Sequence, residues 1–451
     1  KWRLLVGGFV LLILMLAAVI SGVTLGRKDD NNDENDNLSE QQAGVSEPEA
    51  TLSPDANTER FLAFVSHLGP LVTDDMSVFE DVSTIQFKTL DWLANKDVYV
   101  PDHGDLLSTM DDETSLSAVL QVYMERYALT LILFAIYGQS WIQQSHSVCD
   151  WSFVKEDGGY DTDCDENGNV MALILNDMES VLTGLTNNLP SEVGLLRFLR
   201  FLSLAENGLT GTIPSELGFC TNLELFYVFN NALTGFIPSE LGLCTNMEQF
   251  SVSFNGLTGS IPSELGLCTN LQLFHLQSNH LKGSIPTEIF LAQDLGSFSV
   301  VVNQITGSIP TEVGMLSQLT WLGLLSNELR GFLPTELGEL TQLTQLVADY
   351  NTLSGSIPTE MGLLTELTWL DLSNNKFHGS IPTELGSLSK LEVLDVSAND
   401  LTGTLDAICD TSLLPSNLLN FWSDCLGAFP EVTCLCCTTC CDSLGENCVK
   451  Q

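Results

Sequence analysis

From residue 181 to residue 404 the apolar and polar positions repeat as one unit. A proline marks it at Pro190, Pro214, Pro238, Pro262, Pro286, Pro310, Pro334, Pro358 and Pro382. An asparagine keeps the same 24-residue step at Asn207, Asn231, Asn255, Asn279, Asn303, Asn327, Asn351, Asn375 and Asn399. No insertion or deletion interrupts the nine units. In "LEVLDVSANDLTG" (391–403), Leu394 and Val396 alternate with Val393, Asp395 and Ser397, the period-two pattern of a short strand with one buried face. Asn399 follows where the chain must turn, and its amide is expected to pair with backbone groups of the turn and of the next coil. Gly403 supplies a tight corner. In the complete units an Ile-Pro pair then fixes the backbone, and x-Glu-Leu-Gly makes a short helical turn. The proline is expected at its first position, with the glutamate near free N–H groups. No unit can bury its own leucines, so the units must stack into one continuous core. At ~4.8 Å per coil, nine coils span roughly 43 Å.

The rest of the chain reads differently. Residues 4–26 hold no charge in 23 residues, long enough for a membrane-spanning helix and longer than the apolar part of a signal peptide. Lys1 and Arg3 before it balance Arg27 and Lys28 after it, so the flanks leave orientation open. The first residue is Lys, so further residues are expected upstream. Residues 29–58 are polar and acidic, a disordered stalk that carries the sequon Asn37-Leu38-Ser39. Residues 59–138 place apolar side chains at helical spacing, among them Phe61, Phe64, Val65 and Leu68, then Leu116, Leu120, Met124 and Tyr127. The run 128–137 is too short to span a bilayer and reads as a buried helix.

A period of this length with L-x-x-L-x-L-x-x-N-x-L marks a leucine-rich repeat solenoid. The fuller repeat, L-x-x-L-x-x-L-x-L-x-x-N-x-L-x-G-x-I-P-x-E-L-G, resembles the plant-type variant. Trp141, Cys149-Asp150-Trp151, Cys164 and Gly168-Asn169-Val170 resemble the N-terminal cap of plant-type ectodomains. That family comprises receptor-kinase ectodomains, receptor-like proteins and secreted inhibitors of wall-degrading enzymes. The resemblance implies a right-handed α/β solenoid that binds ligands on its concave side, and a disulfide between Cys149 and Cys164. Two features depart from the plant receptors: the apolar segment precedes the repeats, and no kinase motif is present. The anchor-first layout resembles algal membrane leucine-rich repeat proteins. The expected organisation is a membrane helix (1–28), stalk (29–58), helical region (59–138), N-terminal cap (139–180), repeats (181–404) and a Cys-rich C-terminal cap (405–451).

Charge and cysteine narrow the function. The 451 residues hold 58 acidic and 16 basic side chains, a net charge of −42, which excludes a nucleic-acid partner. Thirteen cysteines point to an oxidising compartment, so the repeats are expected outside a plasma membrane crossed once. Cys220, Cys244 and Cys268 sit 24 apart at a position elsewhere filled by leucine, and read as buried free thiols. Cys409, Cys425, Cys434, Cys436, Cys437, Cys440, Cys441 and Cys448 crowd the end, where a solenoid needs a lid. Their pairing stays open. No histidine follows Cys409 to complete a zinc site with Cys437 and Cys440. Asp163, Asp165 and Asn167-Gly168 match the start of a calcium loop, but its twelfth position is Ile174 rather than an acid. The loop reads as an acidic turn. A glutamate ladder two residues after each proline, Glu192 to Glu384, reads as the solvated side of the helical turns. No metal, cofactor or catalytic set is expected.

Function then rests on surface. Counted back from the repeat asparagine, the sixth, fourth and second positions point to the concave side. These 27 positions hold three acids and no Lys or Arg. Phe201, Tyr227, Phe229, Phe254, His275, Trp321, Tyr350 and Trp369 are the candidate ligand-binding residues, because charge-poor aromatic surface marks an interface core. The expected function is membrane-anchored extracellular recognition of a peptide, protein or glycan, with a co-receptor completing any signal. A polygalacturonase-inhibitor-like protein and a structural or adhesive protein are the alternatives.

Overall fold

The computed structural model describes residues 124–133, 135–136, 152–153, 160–176, 187–404, 420–423, 432–433, 439–441 and 448–450. All belong to the second of two compact units, 1–51 and 52–451. The apolar segment 4–26, Asn37, Cys149 and most of the C-terminal cysteines lie outside the described residues. Among those described, no helix is long and apolar enough to cross a membrane.

Each repeat contributes a three-residue strand to one long sheet: Phe201–Ser203, Leu225–Tyr227, Gln249–Ser251, Leu273–His275, Ser297–Ser299, Trp321–Gly323, Gln345–Val347, Trp369–Asp371 and Val393–Asp395. The strands run parallel, and each residue pairs with the one 24 further on, as in Trp321↔Gln345↔Trp369. A repeat without insertions permits no other register. The alternation places Leu202, Leu204 and their counterparts inside, fully buried. Four successive coils put phenylalanine at the strand centre. Phe226, Phe250, Phe274 and Phe298 form a spine with ring centroids 5.3–5.9 Å apart, each pair adding about 1 kcal/mol beyond burial.

Opposite the sheet, each unit makes a five-residue 3₁₀ turn, for example Ser239–Leu243. The proline stands one position earlier than expected. Pro238 has an extended ψ of 134° and caps the turn from outside, so the serine or threonine after it opens the helix. The fourth residue of most turns is glycine because the next coil passes close by. A Cβ on Gly242 would sit 2.3 Å from the Glu264 carbonyl oxygen. One coil carries Phe290 there instead, buried 5.8 Å from Phe298, and balances the volume with Ala292 where its neighbours carry leucine or cysteine.

Short second sheets, not foreseen from the pattern, follow each asparagine. One runs from Thr234–Gly235 to Gln304–Ile305 and another from Arg330–Gly331 to Val432–Thr433. The repeat asparagine joins coils. The Asn327 Oδ1 accepts from Ile305 N–H at 3.0 Å, and its Nδ2 donates to the Val300 carbonyl at 2.9 Å and to Leu324 at 3.1 Å. Val300 and Ile305 belong to the preceding coil, so the ladder reaches backwards, not to the next coil as expected. The residue before each asparagine adopts a left-handed backbone, with φ +54° at Phe254 and +50° at Tyr350.

The core is closed at its start by helical residues 124–133 and 135–136. Tyr127, Leu129, Leu131, Ile132 and Ile136 are buried in the same cluster as Val170, Leu173 and Val193. The Glu125 carboxylate accepts the Val170 N–H at 2.7 Å. The strand Val170–Ile174 pairs parallel with the first repeat strand and antiparallel with Tyr160–Cys164. Beyond the last repeat, Asn420–Ser423 and Thr439–Cys441 extend the sheet in parallel, and Cys448–Lys450 ends it antiparallel.

Candidate functional site

The open face of the long sheet carries the sequence-derived candidates, and burial sorts them. The first column, Phe201, Leu225, Gln249, Leu273, Ser297, Trp321, Gln345 and Trp369, stays half-buried along its length. The other two columns are mostly covered by their neighbours: only Tyr227, Asp371, Phe229 and Leu325 remain partly open. Strands ~4.8 Å apart leave little room between large side chains, so the surface a ligand meets is narrower than three full columns.

Two aromatic stations result. Tyr227 and Phe229 meet edge to face at 5.8 Å, and the Tyr227 hydroxyl bonds Gln249 on the next strand. Arg200 lies over the Phe201 ring at 5.2 Å and is held by a bidentate pair with Glu224. Further along, Trp321 packs edge-on against His275, with centroids 5.3 Å apart. Gly323 makes this possible, since a Cβ there would sit 2.9 Å from Val301 Cγ2 and 3.2 Å from Trp321 Cζ2. His275 itself is only 1% exposed. It shares a 2.7 Å hydrogen bond with the Ser297 hydroxyl, and burial pushes its pKa down to about 3. It therefore supports Trp321 as a neutral ring and presents no contact of its own. Trp369 stands two coils beyond Trp321 in the same column. Tyr350 is 49% exposed at its left-handed turn, and Phe254 is half-buried.

The far end of the face is acidic. Asp371 accepts the Ser373 N–H at 3.0 Å, and Asp395 accepts both the N–H and the hydroxyl of Ser397. Asp349 is buried, and its Oδ1 has no hydrogen-bond partner. Burial first, then repulsion from Asp371, holds its carboxyl far above the usual carboxylate range, so it stays protonated near neutral pH. Burial raises Asp371 as well. Four of the seven buried unpaired side-chain atoms among the described residues lie in these columns: Gln277 Oε1, Ser299 Oγ, Asp349 Oδ1 and Trp369 Nε1. Native interiors keep such atoms few, and their concentration singles this face out.

The remaining candidates lie off the face. Cys164 is disulfide-bonded. Cys220, Cys244 and Cys268 are buried free thiols, each donating to a carbonyl of the preceding coil at 3.3–3.5 Å. The acidic turn at 165–169 is closed by Asp165, which accepts the N–H groups of Asn167 and Asn169. No cluster of metal-ligating side chains occurs among the described residues.

A 24-residue coil of strand, asparagine ladder, second strand and Pro-capped 3₁₀ turn is the leucine-rich repeat solenoid fold. The family model described as Leucine Rich Repeat matches residues 198–220 and 366–388. The chain is similar to plant-type leucine-rich repeat ectodomains. Among solved structures it resembles the ectodomain of the Arabidopsis thaliana receptor kinase GASSHO1/SCHENGEN3, in complex with CASPARIAN STRIP INTEGRITY FACTOR 2. Identity is 33% over 63% of this chain and 32% of that one, with a TM-score of 0.51. It also resembles the Arabidopsis receptor kinase HAESA, in complex with the peptide hormone IDA and the co-receptor SERK1. There identity is 29% over 63% of this chain and 46% of that one, with a TM-score of 0.52. A plant ice-binding protein matches at 27% identity over 69% of this chain and 98% of that one, with a TM-score of 0.51. The leucine-rich repeat chain thus spans less than half of either receptor chain. No curated protein sequence matches it.

Proposed function

We propose that this leucine-rich repeat protein is a non-enzymatic recognition protein, anchored in the plasma membrane by residues 4–26, with its repeats outside the cell. It binds a peptide along the concave, open face of the long sheet. One observation carries the reading. The half-buried first column is charge-poor and carries Phe201, Trp321 and Trp369 in a chain of net charge −42, and it runs between two aromatic stations. Partly open aromatic surface of this kind in an otherwise acidic molecule marks an interface. The two receptor relatives, each described with a bound factor or hormone, support a ligand-binding role. Of the acids in the three columns only Asp371 stays partly open, and no Lys or Arg accompanies it, so the face suits a ligand with apolar groups along its length and a polar or basic group at Asp371. A co-receptor completes any signal, a reading supported by the HAESA structure, which is described with the co-receptor SERK1.

The test is affinity selection of a random linear peptide library on the purified full chain. Enriched peptides should lose tenfold or more in affinity on Trp369→Ala and on Trp321→Ala, the size typical of an aromatic anchor. Trp369→Ala should leave the protein folded with a modestly lowered melting temperature, because the side chain is half-buried. Trp321→Ala should lower it slightly, because the His275 pair is worth about 1 kcal/mol. Glu312→Ala, on the 3₁₀ side, should change neither. Peptides that bind folded tryptophan variants as tightly as wild type would refute the site.

A further inference from the structure

The 3₁₀ turns opposite the sheet carry a second surface. Their fifth residues, Phe219, Leu243, Leu267, Leu291 and Met315, occupy five consecutive coils. All five side chains are 43–57% exposed. Glu339 interrupts the row, and Leu363 stands alone beyond it. Exposed leucines scattered over a surface need no explanation. Five in register, side by side, form a patch on the order of a few hundred Å², the scale of the largest and often functional patch on a monomer.

The charge beside the ridge is ordered too. Side chains three apart on a 3₁₀ helix eclipse one another, so each apolar residue shares its face with the glutamate three before it. Glu216, Glu240, Glu264, Glu288 and Glu312 therefore run as a parallel acidic row. Each accepts a weak hydrogen bond of 3.3–3.4 Å from the hydroxyl of the preceding Ser or Thr. The ion pairs described, Arg200–Glu224 and Lys390–Glu366, leave this row out.

We infer that this ridge docks a cationic amphipathic helix of a partner protein, lying along the solenoid axis. Its apolar stripe covers Phe219 to Met315, and its Lys or Arg side chains meet the glutamate row. Spacing favours a helix. Successive coils are ~4.8 Å apart, close to the 5.4 Å pitch of an α-helix, so each helical turn meets one coil. The five coils span roughly 19 Å, about 13 helical residues. An extended strand shows same-face side chains only every ~6.7 Å and falls out of step. Charge excludes the other occupants. A second copy brings another −42, and residues 59–123 hold twelve acidic against three basic side chains. The ridge is on the opposite side from the peptide-binding face and does not depend on it.

The test uses two synthetic 15-residue helical peptides with one leucine face in common, flanked by lysines in one and by glutamates in the other. Binding to the purified full chain is read by fluorescence anisotropy. The Leu/Lys peptide should bind saturably and at least tenfold more tightly than the Leu/Glu peptide. Leu243→Ser/Leu267→Ser should weaken it tenfold or more. Those side chains are half exposed, so the fold is retained, as circular dichroism will confirm. Glu240→Gln/Glu264→Gln/Glu288→Gln should weaken it threefold or more and flatten its salt dependence. Trp369→Ala should leave it unchanged, which separates this surface from the peptide site. Absence of saturable binding overturns the inference. So does Leu/Lys binding that survives the leucine substitutions, since net charge alone then explains it.

Discussion

His275 gives a direct measure of how tightly the open face is sealed. Its ring lies edge-on to Trp321 and bonds Ser297, and burial pushes its pKa down to about 3. In the unfolded chain the value is about 6.5. Between the two, the unfolded chain takes up a proton that the folded chain refuses, so stability is lost as the pH falls below about 6.5. From pH 7 to pH 5 the unfolded imidazole gains about 2 kcal/mol of protonation free energy, while the folded one gains almost none. The perturbation is His275→Gln, which keeps a polar group in reach of Ser297 and cannot ionise. Urea unfolding of both proteins at pH 7 and pH 5 cancels every other titrating group. Wild type should lose about 2 kcal/mol more than the variant. If the solenoid unfolds in parts, the opening free energy of the Leu276 amide, which donates to Ser299 at 2.8 Å, serves instead by hydrogen exchange. A difference below about 0.5 kcal/mol would show that the imidazole protonates inside the fold, and the seal behind Trp321 would be wrong.

Other outcomes follow from the same structure. Asn327→Leu strands the Ile305 N–H, while the Val300 and Leu324 carbonyls keep the Asn303 and Asn351 amides, and should cost about 2 kcal/mol, with amide exchange accelerating first at Ile305. Asp349→Asn should stabilise the protein at pH 8: a carboxyl raised in the folded state contributes stability at low pH that is lost as the pH climbs from about 4 towards its folded value. An unchanged midpoint in thermal unfolding would mean that Asp349 ionises freely. Cys220, Cys244 and Cys268, with thiols pushed up to about 12 by burial, should resist iodoacetamide until the protein is denatured. In the same mass mapping, Cys149 should appear bonded to Cys164, and free Cys149 would refute that pairing.

Much of this was legible in the repeat itself. An unbroken 24-residue step forces parallel strands in register, and period-two alternation from Leu202 to Leu394 assigns the two faces, because backbone geometry permits no other solution. The run 128–137 read as a buried helix because it is apolar but too short to span a bilayer, and helical residues there close the core. The sequence also flagged Trp321 and Trp369 as one column, since positions 48 apart must align.

Other features depend on distances between coils, which no single unit contains. Whether a side chain on the open face is reachable depends on the size of its neighbours one coil away. His275 is sealed because Gly323 leaves room for Trp321 to lie across it. Asp349 is neutral because burial and Asp371 act together. The asparagine ladder reaches backwards because the solenoid advances so that each Oδ1 meets the N–H of the coil already laid down. The phenylalanine spine and the ridge from Phe219 to Met315 use residue types that any strand or turn would accept. Only stacking turned the first into core and left the second about half in water.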